Sequence, residues 1–192
     1  MNDRSSIELA DISHVFLDRD GVLNRNPPNG RFVTRWEEFE LLPGVEDAVA
    51  RLNRSGRKVI VVTNQRGIAL GLYSLEDLER IHDRLRQCLA ARGARLDAIY
   101  VCPHDDGECN CRKPLTGLFE QAFLDFPAAR PENSVMAGDS IRDVEAGIRM
   151  GMRTVFVTGD DKTMAVESKR AAPLATISVA SLPDFVHRLL RS

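Results

Sequence analysis

Short apolar runs alternate with amphipathic helical patterns along most of the chain, and this alternation constrains the fold more than any other feature. The runs typical of strands lie at residues 14–17, 59–62, 98–101, 134–137 and 154–157, with a weaker one at 175–179. Helical patterns lie at residues 45–52, 74–89, 118–126, 141–150 and 182–190. Strands that alternate with helices pair in parallel through right-handed crossovers, with helices on both faces of the sheet. The sequence therefore predicts an α/β fold with one parallel sheet.

The composition is that of an ordinary globular protein and disfavours several classes of function. The 192 residues are 43% hydrophobic and carry a formal net charge of -2 at pH 7. They show no internal repeat, linker or low-complexity tract, which predicts one domain over residues 1–192. The first residues lack the apolar stretch of a signal peptide, and no run approaches the ~20 apolar residues of a membrane span. We therefore expect a cytoplasmic protein that binds no membrane and, without a large basic surface, no nucleic acid.

Two carboxylates, Asp18 and Asp20, directly follow the first apolar run and precede Gly21, which predicts a turn. Both acids are therefore expected at the carboxyl end of a strand, where open α/β sheets bind their ligands. Paired carboxylates at such a place can hold a divalent cation, or divide into a nucleophile and an acid/base. Taken alone, the pair is also typical of a solvated acidic turn, so the other strand ends decide its meaning.

Polar and charged residues follow three further strands. They are Thr63, Asn64 and Gln65 after the second strand, Arg112 and Lys113 after the third, and Asp139 and Asp143 after the fourth. Acids that hold a hard cation, together with a cation and a hydroxyl that hold phosphate oxygens, make a site for phosphoryl transfer. The chain has no P-loop pattern, so a Walker-type kinase is not indicated.

These segments resemble the four ordered motifs of the haloacid dehalogenase (HAD) phosphatases. The matching segments are residues 16–21, 62–65, 112–114 and 138–143. The resemblance implies a Rossmann-like fold with Asp18 as the nucleophile and Asp20 as the general acid/base. Thr63 and Lys113 would then stabilise the phosphoryl group.

The same resemblance implies a magnesium site. Its ligands would be Asp18, the backbone carbonyl of Asp20, and Asp139, with Asp143 as a supporting acid rather than a direct ligand. The large cap domains of HAD enzymes are inserted after the first or the third strand, and here neither gap has room for one. We therefore expect an open site, covered only by residues 25–35 and the loop that precedes Arg112.

That loop contains three cysteines and a histidine with the spacing of a metal site. They are Cys102, His104, Cys109 and Cys111. Thiolates and an imidazole in one short loop match tetrahedral Zn²⁺, and four protein ligands make such a site structural rather than catalytic. Disulfides are the alternative, but a cytoplasmic protein disfavours them and they would leave His104 unexplained. The sequence predicts a zinc-binding loop at residues 102–111.

A zinc loop that leads into Arg112 and Lys113 resembles one branch of the HAD phosphatases, which holds two activities. One removes the 7-phosphate of D-glycero-D-manno-heptose 1,7-bisphosphate, and the other hydrolyses histidinol phosphate. Residues 64–73 look like the heptose type, whereas the short zinc loop and Pro27-Pro28 look like the histidinol-phosphate type. The heptose bisphosphate is the favoured substrate. A DNA 3′-phosphatase and a non-catalytic binding protein are remote alternatives.

An open site suits a small phosphorylated sugar or amino alcohol. Specificity must then come from side chains that contact the non-reacting end of the substrate. The candidates are Asn64, Gln65, Arg66 and Arg112. We expect the protein to act as a monomer.

Overall fold

The computed structural model describes residues 9, 11–27, 31–159 and 169–191. Within these ranges six parallel strands form one sheet in the order β3-β2-β1-β4-β5-β6. The strands are β1 (His14–Leu17), β2 (Lys58–Asn64), β3 (Ala98–Cys102), β4 (Ser134–Gly138), β5 (Arg153–Val157) and β6 (Ile177–Val179). Strand β1 lies in the middle of the sheet, with β2 and β3 on one side of it and β4, β5 and β6 on the other. This is the doubly wound arrangement that places ligands where the strand order reverses, beside β1.

The helices cover both faces of the sheet. They are α1 (Val45–Arg54), α2 (Leu75–Ala90), α3 (Gly117–Asp125), α4 (Ile141–Arg149) and α5 (Leu182–Leu189). Buried side chains of α1, α2 and α5 pack in one apolar cluster, and those of α3 pack in another. Ser74 caps α2 through the backbone N–H of Asp77, as the acidic third position predicts.

The central strands contribute to both apolar clusters in alternation. Val15 and Leu17 belong to the cluster with α1, whereas Phe16 packs against Phe119 of α3. Successive side chains of a strand point to opposite faces, so a run that is buried on both faces must be apolar at every position. This explains why β1 reads as an uninterrupted apolar run.

The predicted α/β fold with a Rossmann-like parallel sheet is confirmed. Strand β2 runs further than predicted because Lys58 pairs with His14 at one end and Asn64 with Cys102 at the other. Strand β6 is shorter than predicted, since only three of its residues pair with β5. Two 3-10 helices, Trp36–Glu38 and Pro131–Asn133, were not predicted.

The segments that follow β1 and β3 run over residues 18–44 and 103–116. Each is shorter than the roughly 50 residues of a small domain. Pro28, which belongs to the first of these segments, lies outside the described residues. Among the helices that the structure describes, none has the length and apolar character needed to cross a membrane.

Candidate active site

The carboxyl ends of β1, β2 and β4 bring the predicted catalytic residues to one edge of the sheet. Asp18 follows β1, Thr63 is the last residue but one of β2, and Asp139 follows β4. Lys113, from the segment after β3, completes the group. Its ammonium lies 3.0 Å from the Asp18 carboxylate. The structure therefore gathers residues that are far apart in the chain around one point.

Lys113 is buried at 2% exposure, and three oxygens lie within 3.0 Å of its ammonium. They are Asp18 Oδ1 at 3.0 Å, Asp143 Oδ1 at 2.6 Å and the carbonyl of Val62 at 2.7 Å. Burial alone would lower the pKa of Lys113, but the two carboxylates raise it above its ordinary value. The residue is therefore held as a fixed positive charge beside Asp18.

Asp18, Asp139 and Asp143 place carboxylate oxygens within 4.8 Å of one another. Burial and the neighbouring acids raise the pKa of Asp18 to about 7, although Lys113 opposes them, and burial raises that of Asp139. Carboxylates that offer only oxygen ligands are the donor set that Mg²⁺ prefers. Oδ1 of Asp143 forms an ion pair with Lys113, and Oδ2 accepts hydrogen bonds from the backbone N–H and the hydroxyl of Ser140.

Asp139 also contacts the turn after β1. The side-chain amide of Asn26 donates to Asp139 Oδ2 at 2.5 Å. Gly21 has a positive φ of 80°, and a Cβ built on it would overlap the Asp139 carboxylate. The turn thus needs glycine for two reasons, its conformation and the close approach of the acid. The arrangement leaves a compact cradle of oxygens that fits a cation.

Asp20 faces a different set of partners. Arg19, which is 1% exposed, forms an ion pair with it at 2.9 Å, and Asn24 donates to it at 2.8 Å. Burial acts to raise the pKa of Asp20, but the Arg19 guanidinium and the hydrogen bonds around the carboxylate hold that pKa below its ordinary value. Arg19 also contacts His82 at 3.3 Å and lies over the ring of Phe39.

Sequence reasoning missed Arg19. The signal that could have revealed it is a cation that stands between two acids, one residue beyond a buried apolar run. An arginine in such a place must bury its guanidinium, and it needs an acid to pair with. Asp20 supplies that acid.

The amides of Asn64 and Gln65 form hydrogen bonds with residues that are predicted to be catalytic. Asn64 exchanges two hydrogen bonds of 3.0 Å with the backbone of Lys113. Gln65, which is 2% exposed, donates to Asp20 at 2.9 Å and to Thr63 at 2.8 Å. The amides of both residues thus contact groups of the predicted site.

The three cysteines and the histidine of residues 102–111 form a compact cluster. Cys102 lies 3.6 Å from Cys109 and 3.7 Å from His104, and Cys111 lies 3.3 Å from Cys109 and 3.4 Å from His104. A tetrahedral zinc ion with Zn–S bonds of about 2.3 Å requires S–S distances of about 3.8 Å. The four cysteines of the chain are free thiols, so the disulfide alternative does not apply. The cluster fits a structural zinc ion.

Replacing Cys109 with serine is expected to weaken zinc binding by more than ~100-fold. Loss of a group that only supports a ligand already costs about 10–100-fold, so loss of a ligand costs more. The measurement is zinc content after dialysis against a competing chelator of known affinity. Cys88→Ser is the matched control, because Cys88 lies on α2 outside the cluster. Equal zinc content in the two variants would contradict the assignment.

Two acids of the zinc loop form ion pairs with the two arginines that were predicted to bind substrate. Arg66 pairs with Asp105, and Arg112 pairs with Asp106, each at 2.5 Å. One terminal nitrogen of Arg112 is buried and has no hydrogen-bond partner within the described part of the chain. A buried guanidinium nitrogen without a partner is costly, and a ligand oxygen would satisfy it. Sequence reasoning missed Asp105 and Asp106, although two acids inside a metal loop were visible.

Space for a small molecule lies on either side of Asn26. One cavity of about 590 Å³ is lined by Arg25, Arg31 and Glu38 among others. A second, of about 580 Å³, reaches Asp139. A small molecule can therefore reach Asp139 from the solvent.

The comparisons with known proteins agree with this geometry. A family model described as HAD-hydrolase-like matches residues 110–185. A D-glycero-beta-D-manno-heptose-1,7-bisphosphate 7-phosphatase of Haemophilus influenzae is 34% identical over 182 residues, which are 91% of this chain and 97% of that protein. The corresponding alpha-heptose enzyme of Mycobacterium tuberculosis is 42% identical over 132 residues, 68% of this chain and 69% of that protein.

A solved structure gives the same result. The D,D-heptose 1,7-bisphosphate phosphatase from B. bronchiseptica, complexed with magnesium and phosphate, matches with a TM-score of 0.85 and 32% identity. The match covers 94% of this chain and 99% of that one. With relatives of this identity over nearly their whole length, the chain belongs to the HAD-like family of the heptose-bisphosphate phosphatases, and it is a phosphoric monoester hydrolase.

Proposed function

We propose that this protein removes the 7-phosphate of D-glycero-D-manno-heptose 1,7-bisphosphate through an aspartyl-phosphate on Asp18. The observation that carries the chemistry is the buried ammonium of Lys113, 3.0 Å from the Asp18 carboxylate at the sheet edge that also holds Thr63 and Asp139. The names of relatives that match over almost their full length support the substrate.

In the first step a carboxylate oxygen of Asp18 attacks the phosphorus of the 7-phosphate. A bond forms between this oxygen and phosphorus, and the bond from phosphorus to the sugar oxygen breaks. Asp20 gives its proton to the departing sugar oxygen, and help of this kind is worth roughly 10²–10⁴-fold. The incoming phosphate brings negative charge beside Asp20, and a like charge nearby favours the protonated carboxyl.

In the second step water attacks the phosphorus of the aspartyl-phosphate. Asp20, now ionised, accepts a proton from that water, and the bond between phosphorus and Asp18 breaks. Inorganic phosphate leaves and the Asp18 carboxylate is restored. One difficult displacement is thereby divided into two easier ones.

Lys113 and Thr63 hold the transferred group in both steps. The ammonium of Lys113 offsets the charge of the phosphoryl oxygens, and the Thr63 hydroxyl can donate to one of them because its oxygen accepts from Gln65. Asn64 fixes the backbone of Lys113. We assign Asn64 and Gln65 to positioning these groups rather than to direct contact with the heptose.

The carboxylates of Asp18 and Asp139, with the carbonyl of Asp20, would hold Mg²⁺. When bound, this cation would reduce the repulsion between the Asp18 carboxylate and the phosphate dianion. Asp143, whose oxygens face Lys113 and Ser140, keeps Lys113 in place.

Arg66 and Arg112 are proposed to bind the end of the substrate that does not react. The unpartnered nitrogen of Arg112 supports this role, because a second phosphate would supply an acceptor of the right charge. The zinc loop would set the position of both arginines through Asp105 and Asp106.

A substrate comparison tests this function. With Mg²⁺ supplied, kcat/KM is measured for the alpha and beta anomers of heptose 1,7-bisphosphate and for histidinol phosphate. We expect a heptose bisphosphate to be preferred by more than about tenfold, which is ~1.4 kcal/mol of transition-state binding. A preference of that size for histidinol phosphate would refute the proposed substrate and leave the proposed chemistry standing. Failure to hydrolyse any of the three would refute both.

A further inference from the structure

The side-chain amide of Gln65 joins two groups of the proposed reaction. Its nitrogen donates to Asp20 Oδ2 at 2.9 Å and to Thr63 Oγ1 at 2.8 Å. Since one nitrogen reaches both oxygens, the carboxylate of Asp20 and the hydroxyl of Thr63 are held at a fixed separation. The backbone N–H of Gln65 donates to the carbonyl of Cys102, which anchors the residue to the neighbouring strand.

Tyr73 decides which way this amide points. The phenol of Tyr73 donates to Gln65 Oε1 at 2.6 Å, and both residues are buried. Burial, with a smaller opposing effect of Arg19, raises the pKa of Tyr73 to about 12, so the phenol keeps its proton. A donor on one side of the amide and an acceptor carboxylate on the other permit only one orientation, with the nitrogen toward Asp20.

The loop between β2 and α2 is shaped to accept the ring of Tyr73. Gly67 lies against this ring, and a Cβ built on Gly67 would overlap it. The N–H of Leu72 donates to the carbonyl of Gly67 at 2.9 Å, which closes the loop. This accounts physically for a glycine in the 64–73 segment that the catalytic groups themselves do not explain.

We propose that Gln65 and Tyr73 are positioning residues that act as one unit to aim the Asp20 carboxylate at the oxygen of the leaving group. The proposal rests on the proposed function, because it gives these two residues a part in the step that Asp20 assists. Neither residue needs to touch the substrate. Loss of either residue should slow the first phosphoryl transfer more when the leaving group needs a proton than when it does not.

The test compares leaving groups in Tyr73→Phe. The rate of the first phosphoryl transfer is measured in single turnovers, with enzyme in excess, for 2,4-dinitrophenyl phosphate and for the alkyl phosphate that the wild type prefers. A dinitrophenolate leaves without a proton, whereas a sugar alkoxide does not. We expect a fall of ~10–100-fold for the alkyl phosphate and of less than ~3-fold for the aryl phosphate, which is a partial loss of the roughly 10²–10⁴-fold that acid catalysis supplies. Equal falls for the two substrates would overturn the proposal.

Tyr100→Phe is the matched control. It removes the other tyrosine hydroxyl of the chain, which donates to Asp125 on the surface at 2.7 Å. We expect this variant to hydrolyse both substrates as the wild type does. A selective loss on the alkyl phosphate in this control too would overturn the assignment to Tyr73.

A second variant covers the case in which Tyr73→Phe does not fold. Gln65→Met keeps the length of the side chain and removes its donor to both Asp20 and Thr63, so we expect a loss on both substrates that is ~10-fold or more larger on the alkyl phosphate. Where both variants fold, the double variant should lose no more than the worse single one, since partners in one unit are not additive. Additive losses would overturn the claim of a single unit.

If the wild type hydrolyses neither substrate, the proposed function fails as well, which separates the two outcomes.

Discussion

Replacing Asp18 with asparagine is expected to abolish phosphate release while the fold is retained. The amide cannot form the aspartyl-phosphate, and removal of a catalytic nucleophile costs on the order of 10⁴–10⁶-fold in kcat. The fold should survive, because the variant removes one charge from a crowded group of buried acids and Lys113 keeps Asp143 as its partner. Phosphate release and thermal unfolding, measured on the same preparation, check the two parts of this prediction.

Asp83→Asn is the matched control for that experiment. Asp83 lies on the exposed side of α2 and pairs with Arg86, which keeps Glu79 as a second partner. The same chemical change there should leave kcat unaltered. Residual turnover of Asp18→Asn above about one hundredth of the wild type would contradict the nucleophile assignment, because a nucleophile loss is much larger.

Replacing Lys113 with methionine is expected to cause the largest combined loss of activity and stability. The variant leaves two carboxylates, Asp18 and Asp143, without their shared counter-charge in a buried place. Breaking a buried pair in this way typically costs about 3–5 kcal/mol of unfolding free energy. Loss of a positive charge at the developing phosphoryl charge should lower kcat by ~10²–10³-fold as well. Urea unfolding without added Mg²⁺ and steady-state kinetics give the two numbers.

Lys58→Met is the matched control for Lys113→Met, because Lys58 lies at the amino end of β2, away from the predicted site. Lys58 pairs with Asp97 at 2.9 Å, but its side chain is 42% exposed and Asp97 also accepts from the backbone of Val59. A partly exposed pair is worth about 0–1 kcal/mol, so this variant should be nearly as stable as the wild type and fully active. If the two lysine variants lose similar stability, the burial argument for Lys113 is wrong.

The sheet could be predicted from the sequence because its central strands are buried on both faces. His14–Leu17 was predicted residue for residue, since all four of its side chains are buried. The prediction was wrong by a few residues at β6. This is an edge strand that pairs only with β5, and its polar neighbours show no alternation of apolar and polar residues. Helix α2 was predictable from its apolar stripe and its Ser74 cap.

The candidate site could be predicted in its positions and less well in its contacts. Asp18, Thr63 and Asp139 lie where parallel strands end, and that location follows from the order of elements alone. The directions of the Asn64 and Gln65 amides do not, because they depend on Lys113 and Tyr73, which other segments bring into contact. The type of a residue at a strand end determines which hydrogen bonds it can form. Its neighbours in the folded structure determine which partners it forms them with.

The ion pairs of the zinc loop have a consequence for how specificity can change in this family. Arg66 follows β2, and yet its partner Asp105 lies in the metal loop, as does Asp106 beside Arg112. These two ion pairs share no residue with the ion pairs that join Lys113 to Asp18 and Asp143. We therefore expect that the loop and the two arginines can be replaced as one set without breaking the ion pairs of Lys113. Replacing the loop alone would leave Arg66 without its partner Asp105, so Arg66 has to be replaced together with the loop.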